Sequence, residues 1–94
     1  MIRSFANKQT KNVFLGIREK TVPDHLVTRA RAKLDRINYA KELRDLNTPT
    51  GNRLERLVGV REERYSIRVS RGWRICFTWK DGDALNVDLN NHYK

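Results

Sequence analysis

The sequence predicts an α+β fold in which two N-terminal helices pack on one face of a twisted, mainly antiparallel sheet. Apolar residues recur at spacings of three and four between residues 26 and 37, which is the spacing of a helix with one buried side. Between residues 65 and 89 they recur at every second position, which is typical of strands with one buried face. The chain has 94 residues, so we expect residues 1–94 to form a single domain.

The N-terminal segment is expected to begin with a short strand. Residues 2–5 (IRSF) alternate between apolar and polar positions. Asn7 can cap the first helix, and Gly16 lies where that helix should end. The apolar side of this helix is expected to carry Val13, Phe14 and Ile17.

The second helix is expected to start at residues 21–24 (TVPD), because proline is tolerated in a first helical turn. Its core-facing positions are Leu26, Val27, Ala30, Leu34 and Ile37. Beyond Tyr39 the apolar stripe drifts, which suggests a kink or a second short helix, and residues 48–52 (TPTGN) mark a break.

Three alternating segments predict a three-stranded meander. A two-residue Asp81-Gly82 turn would place Phe77 opposite Asn86, with one side chain facing the core and the other solvent. Residues in opposed positions share a face, so the loop must be odd in length or the ladder must contain a bulge. We expect three-residue loops at both hairpins, which give the pairs Trp79–Leu85, Phe77–Val87, Ile75–Leu89, Val69–Trp73 and Ile67–Ile75.

The same register predicts an unusual polar face. Arg68 lies opposite Arg74, Arg74 lies opposite Asn90, and His92 follows on that face if the last strand continues. Two arginines in opposed positions repel each other. Either a carboxylate balances them, for which the candidates are Asp88 and Glu63, or they bind an external anion. The neighbouring asparagine and histidine favour a phosphate site.

Composition indicates a polyanionic partner. The net charge is +9, and residues 1–40 alone carry nine basic against three acidic side chains. Such a surface suits nucleic acid, with an acidic protein as the competing interpretation. We find no signal peptide and no membrane-length apolar run, so we expect a cytoplasmic protein without membrane contact. One cysteine and two distant histidines give no zinc spacing, and we expect no metal or cofactor.

Three stretches resemble the HigB-like toxins of the RelE/ParE superfamily, also called plasmid-maintenance killer proteins. They are "MIRSF", "GNRLERLVGVREERYSIRVSRGWRICFTWKDGDA" and the terminal His-Tyr pair. The resemblance implies two helices on a twisted antiparallel sheet, and ribosome-dependent cleavage of messenger RNA. It also implies a HigA-like helix-turn-helix antitoxin that neutralises the toxin, with operator DNA bound only through the antitoxin complex, in a bacterial cytoplasm.

The resemblance also suggests roles for single residues. Arg74 matches a basic residue that RelE-type toxins use at the scissile phosphate, and Arg68 matches a position that is lysine in RelE-type toxins and often polar in HigB-like ones. The tail Asn91-His92-Tyr93 matches an ending that is usually Asp-Tyr-His. Glu55 and Val58 stand where some HigB-like toxins have a histidine and a lysine.

RNA cleavage without a metal needs a base, an acid and cations that stabilise the phosphorane. Histidine suits proton transfer near neutral pH, and arginine suits the charge role. We therefore expect Arg68 and Arg74 at the phosphate, His92 in proton transfer, and Tyr93 in base stacking or the proton step, with Asn91 completing the catalytic tail. Further RNA contacts are expected from Arg53, Arg56, Arg61, Arg64 and Asn90.

Two other functions are compatible with the sequence. One is inhibition of gyrase, as in the ParE branch, against which His92 argues because that branch lacks a terminal acid–base group. The other is an RNA- or ribosome-binding module without catalysis, which the altered order of the tail residues keeps open.

Overall fold

Two helices pack against one face of a four-stranded antiparallel sheet in the computed structural model, which describes residues 1–47, 53–59 and 63–91. The helical elements are α1 (Lys8–Leu15), α2 (Asp24–Tyr39) and a 3₁₀ helix (Leu43–Asn47). The strands, in spatial order, are β1 (Glu55–Arg56), β2 (Arg64–Ser70), β3 (Trp73–Lys80) and β4 (Asp83–Asn90). The predicted α+β class is confirmed, and the break expected at residues 48–52 lies outside the described residues.

The ends of α1 follow from its capping residues. The side chain of Asn7 accepts a hydrogen bond from the backbone N–H of Thr10 at 2.9 Å. Gly16 adopts a left-handed conformation with φ 78°, which closes the helix. Ile17 therefore lies beyond the helix and is 53% exposed. Its predicted place on the buried side was wrong, because the glycine ends the helix first.

The second helix supplies much of the core. Its buried residues are Leu26, Ala30, Leu34 and Ile37, and Val27 packs against them while remaining partly exposed. On the sheet side, Ile67, Ile75, Phe77, Val87 and Leu89 are fully buried or nearly so. Trp73 and Trp79 are half-buried and pack against this cluster, as the alternation predicted. None of the described helices is both long and apolar enough to cross a membrane.

Both edges of the sheet differ from the prediction. The expected N-terminal strand is reduced to two isolated parallel bridges, Ile2 to Ala84 and Phe5 to Val87, alongside β4. At the other edge, β1 pairs with β2 through Glu55–Ser66 and Arg56–Tyr65. A strand of two residues shows no alternation, so the sequence pattern could not predict it.

The β2–β3 hairpin has a two-residue turn and a bulge. Ser70 pairs with Trp73 across the Arg71-Gly72 turn, and the register shifts between Arg68 and Ser70. The predicted pair Ile67–Ile75 is confirmed, whereas the predicted pairing of Val69 with Trp73 is wrong. The extra residue is accommodated in the ladder and not in the loop.

The β3–β4 hairpin behaves in the same way. Lys80 pairs with Asp83 across Asp81 and Gly82, whose φ angles of 52° and 80° suit a tight hairpin turn. A register shift between Cys76 and Thr78 then restores the predicted pair Ile75–Leu89. Within residues 63–91 the ladder pairs neither Trp79 with Leu85 nor Phe77 with Val87, so the three-residue loop was wrong. Consequently Ala84 is buried in the place expected for Leu85.

Candidate functional site

Two arginines lie in opposed positions on the sheet face turned away from the helices. Arg68 pairs with Arg74, and Arg74 pairs with Asn90, both as the register predicted. Ile67 and Ile75 point into the core from the same strands. Because side chains alternate along a strand, the two arginines point outward together.

The guanidinium group of Arg74 is held by a buried hydroxyl. Its Nε and Nη2 atoms donate to Oγ of Ser66 at 2.9 and 2.6 Å. Nη2 also donates to Oε1 of Glu55 at 2.6 Å and to the backbone carbonyl of Arg53 at 3.4 Å. Ser66 is fully buried, and the Arg74 side chain is 15% exposed. This arginine is therefore oriented before any ligand binds.

The carboxylate beside Arg74 is Glu55, and the expectation of Asp88 or Glu63 was wrong. Glu55 reaches Arg74 because β1 sets it opposite Ser66 on the same face. The Asp88 carboxylate accepts from Asn7 at 2.8 Å and from Asn90 at 3.2 Å. Glu63 accepts from the hydroxyl of Tyr65 at 3.2 Å. Glu55 could not be assigned from the strand pattern because β1 itself was not predicted.

A cleft of about 330 Å³ opens in front of the two arginines. Its lining includes four arginines and one carboxylate: Arg53, Arg68, Arg71, Arg74 and Glu55. The hydrogen bonds of Arg74 to other described residues use Nε and Nη2, which leaves the Nη1 donors for a ligand. Arg68 takes no part in the ion pairs formed among the described residues. The cleft can therefore bind an anion such as a phosphate.

Two further candidates lie at the end of β4, where Asn90 pairs with Arg74. Asn90 donates to Asp88 and to the sulfur of Cys76, the latter at 3.5 Å. Asn91 is exposed immediately after the strand. His92 and Tyr93 lie outside the described residues, so their predicted catalytic roles stay predictions.

Of the arginines expected to bind RNA, the three that the structure describes do not share one surface. Arg53 lines the cleft, whereas Arg64 lies farther along the same face and donates to Oγ1 of Thr78 and the carbonyl of Asn86, both at 3.1 Å. Arg56 pairs with Tyr65 and therefore lies on the other face of the sheet from Glu55 and Arg74. Arg61 lies outside the described residues.

Sequence reasoning missed Ser66 and Arg71 as members of the site. The predicted register placed Ser66 on the outer face, two positions from Arg68, so its hydroxyl could have been considered as a partner of a neighbouring arginine. Arg71 lines the cleft from the two-residue turn of the β2–β3 hairpin, whereas the prediction had a three-residue loop there. Across residues 1–47, 53–59 and 63–91, no three His, Cys, Asp or Glu side chains form a metal-binding group.

Comparisons with known proteins identify the family. The family model described as RelE-like toxin of type II toxin–antitoxin system HigB matches residues 3–92. Toxin HigB-1 of Vibrio cholerae serotype O1 is 37% identical over 75 residues, which cover 80% of this chain and 79% of the relative. Endoribonuclease HigB of Proteus vulgaris is 34% identical over 93 residues, which cover 99% of this chain and 100% of the relative. The chain therefore belongs to the HigB-like family of RelE-like toxins of type II toxin–antitoxin systems.

Proposed function

We propose that this toxin is a metal-independent endoribonuclease that cleaves messenger RNA on the ribosome, with Arg68 and Arg74 binding the scissile phosphate. The observation that carries the proposal is the opposed arginine pair in a cleft, with Arg74 fixed by the buried Ser66. A relative that matches the chain over 99% of its length is named an endoribonuclease, which supports the same chemistry.

The arginines supply the charge stabilisation that the reaction needs. The 2′-hydroxyl attacks the adjacent phosphorus and loses its proton to a base, while the bond to the 5′-oxygen breaks and that oxygen gains a proton from an acid. Negative charge grows on the non-bridging oxygens of the phosphorane. Arg74 and Arg68 donate hydrogen bonds to these oxygens, and such preorganised donors are usually the largest single contribution to catalysis.

The C-terminal tail is proposed to transfer the protons. Asn90 is the last strand residue and pairs with Arg74, so β4 ends beside the arginine pair. His92 follows two residues later, and its imidazole suits a proton-transfer role near neutral pH. Tyr93 stacks on a base or assists the proton step, and Asn91 positions the tail.

Glu55 competes with the substrate for Arg74. Its carboxylate already accepts a hydrogen bond from Nη2 and is 62% exposed. An RNA phosphate that enters the cleft displaces this carboxylate from the hydrogen-bond donors of Arg74. Binding therefore includes the cost of separating an ion pair, which is modest because the Glu55 carboxylate is largely exposed.

An antitoxin partner follows from the family, since type II systems pair a protein toxin with a protein antitoxin. We propose that the antitoxin is of the HigA-like helix-turn-helix kind, and that operator DNA is bound only through the complex. The net charge of +9 suits the ribosome and its RNA. The proposed place of action is the bacterial cytoplasm.

The proposal is tested by induced expression of the wild-type chain and of Arg74→Ala, with mapping of messenger RNA 5′ ends. We expect cuts confined to translated messages in the wild type. In a single-turnover assay with the purified chain and ribosomes carrying messenger RNA, the cleavage rate of the variant should fall on the order of 100-fold, as for loss of a donor to a developing charge. Lys11→Ala is the control, because Lys11 is exposed on α1 and has no predicted role in binding the substrate.

The outcomes separate the competing functions. Full cleavage by a folded Arg74→Ala variant would remove Arg74 from the mechanism. Growth arrest with damage to DNA supercoiling and no new RNA ends would instead indicate gyrase inhibition. The same assay with His92→Gln tests the tail, since an unchanged single-turnover rate would exclude this histidine from proton transfer.

A further inference from the structure

The cleft in front of Arg74 opens into a second, strongly basic cleft that reaches helix α2. The second cleft has a volume of about 510 Å³. The two share Arg53, Arg68, Ser70 and Arg71 in their linings, and the second adds Arg29 and Lys33 from α2. A ligand strand can therefore pass from one cleft to the other without leaving the protein surface.

The second cleft concentrates positive charge, and its lining shows no acidic side chain among the described residues. Of the residues in the described part of the chain that line it, five are cationic, whereas the Arg74 cleft contains Glu55. Arg29 and Lys33 are one helical turn apart, so their side chains project on the same side of α2. Burial, together with the neighbouring Arg36 and Arg29, lowers the pKa of Lys33 below its usual range. A cleft with this many cationic side chains suits an external polyanion.

The bulge in β2 connects the two clefts. The register shift between Arg68 and Ser70 falls at Val69, and the Val69 carbonyl accepts a hydrogen bond from Nη1 of Arg29 at 3.4 Å. This bond fixes α2 against the β2–β3 hairpin. The exposed Arg71 in the turn then lines both clefts. The arrangement is a continuous groove along which arginine side chains are distributed.

We propose that this groove binds the backbone phosphates of the substrate RNA strand beyond the scissile linkage, through Arg29, Lys33 and Arg71. The identity of the strand rests on the proposed function, because the groove continues from the Arg74 cleft. An acidic segment of a protein partner is less favoured, because the groove begins where the scissile phosphate would lie.

The test uses the whole wild-type chain and non-cleavable 2′-O-methyl RNA, a trinucleotide and a nonanucleotide, at several salt concentrations. We expect the nonanucleotide to bind more tightly. The double substitution Arg29→Ala with Lys33→Ala should weaken nonanucleotide binding on the order of tenfold. The slope of the logarithm of the binding constant against the logarithm of the salt concentration should also fall in magnitude by about 1.4, because each lost phosphate contact with a single strand contributes about 0.7. Trinucleotide binding should not change.

The controls keep the result specific. Lys8→Ala with Lys11→Ala removes the same charge from exposed positions on α1 and should leave both affinities nearly unchanged. Arg71→Ala is a second groove variant in an exposed turn, in case loss of the Arg29 bond to Val69 affects folding. Thermal melts of all variants show whether they fold.

Each alternative result would overturn the proposal. Equal wild-type affinity for the two RNAs, or equal losses in the groove and control variants, would mean that no strand follows the groove. Unchanged RNA binding with weaker binding to message-free ribosomes would assign the groove to ribosomal RNA. Unchanged RNA binding with weaker binding to the antitoxin would assign it to the protein partner. Failure of cleavage by the wild type would sink the proposed function but not this binding result.

Discussion

Arg74 donates two hydrogen bonds to Ser66, from Nε at 2.9 Å and from Nη2 at 2.6 Å, across the β2–β3 ladder. Ser66 lies two positions from the residue opposite Arg74, so the guanidinium crosses the sheet diagonally. The serine is fully buried. The relationship fixes the plane of the guanidinium and thereby the direction of its remaining donors.

Ser66→Ala is expected to weaken cleavage without abolishing it. Loss of a hydrogen bond to a charged group costs about 2 kcal/mol in typical cases, and we expect a stability loss of that order together with a roughly tenfold lower single-turnover rate. Ser66→Thr, which keeps a hydroxyl, should restore the rate. A Thr variant that is folded but as slow as the Ala variant would contradict a positioning role.

Glu55→Gln is expected to tighten RNA binding. The substitution removes an anion that competes for Nη2 of Arg74, and an exposed ion pair of this kind contributes at most about 1 kcal/mol, which corresponds to about a fivefold change in affinity. Binding of non-cleavable RNA measures the effect. Glu63→Gln removes an exposed carboxylate that contacts Tyr65 and serves as the control. Weaker binding by the Glu55 variant alone would show that the carboxylate assists the substrate.

Arg68→Thr is expected to stabilise the fold while weakening RNA binding. Opposed like charges destabilise a strand pair, and threonine is favoured in strands. Removing the repulsion with Arg74 should raise the free energy of unfolding by up to about 1 kcal/mol. The free energy of unfolding measured in urea should therefore rise, while the affinity for RNA should fall. A loss of stability would mean that Arg68 is held by favourable contacts and not retained for a ligand.

Asp83 links stability to pH through the N-terminal segment. Its hydrogen bond from Arg3 at 3.1 Å, with the nearby charges of Arg3 and the N-terminal amine, lowers the pKa of this carboxyl against a smaller opposing effect of burial. Because the folded-state pKa is below that of the unfolded chain, the contribution is complete above about pH 4. It is lost as the pH falls through the folded-state pKa. Asp83→Asn should therefore lower the melting temperature at pH 7, and the difference from wild type should vanish in strong acid. If the melting temperatures of the variant and the wild type differed equally at pH 7 and in strong acid, this linkage would be excluded.

The site was more predictable than the edges of the sheet. The opposition of Arg68, Arg74 and Asn90 could be predicted because the central pairs Ile67–Ile75 and Ile75–Leu89 are fixed by the buried face. Glu55 could not be assigned, since β1 has two residues and depends on pairing with β2 and not on its own pattern. The alternation required an odd number of extra residues in each hairpin but could not say whether they lie in the loop or in the ladder.

Asn86 shows where the extra residue of the last hairpin is placed. It has a φ of +50° at the register shift in β4, which asparagine and glycine tolerate better than β-branched residues. Asn86→Val should therefore destabilise the fold by about 1–3 kcal/mol, whereas Asn86→Gly should be nearly neutral. Urea unfolding measures both. If valine were tolerated as well as glycine, the ladder would have to shift toward the three-residue loop, and Leu85 would replace Ala84 in the core.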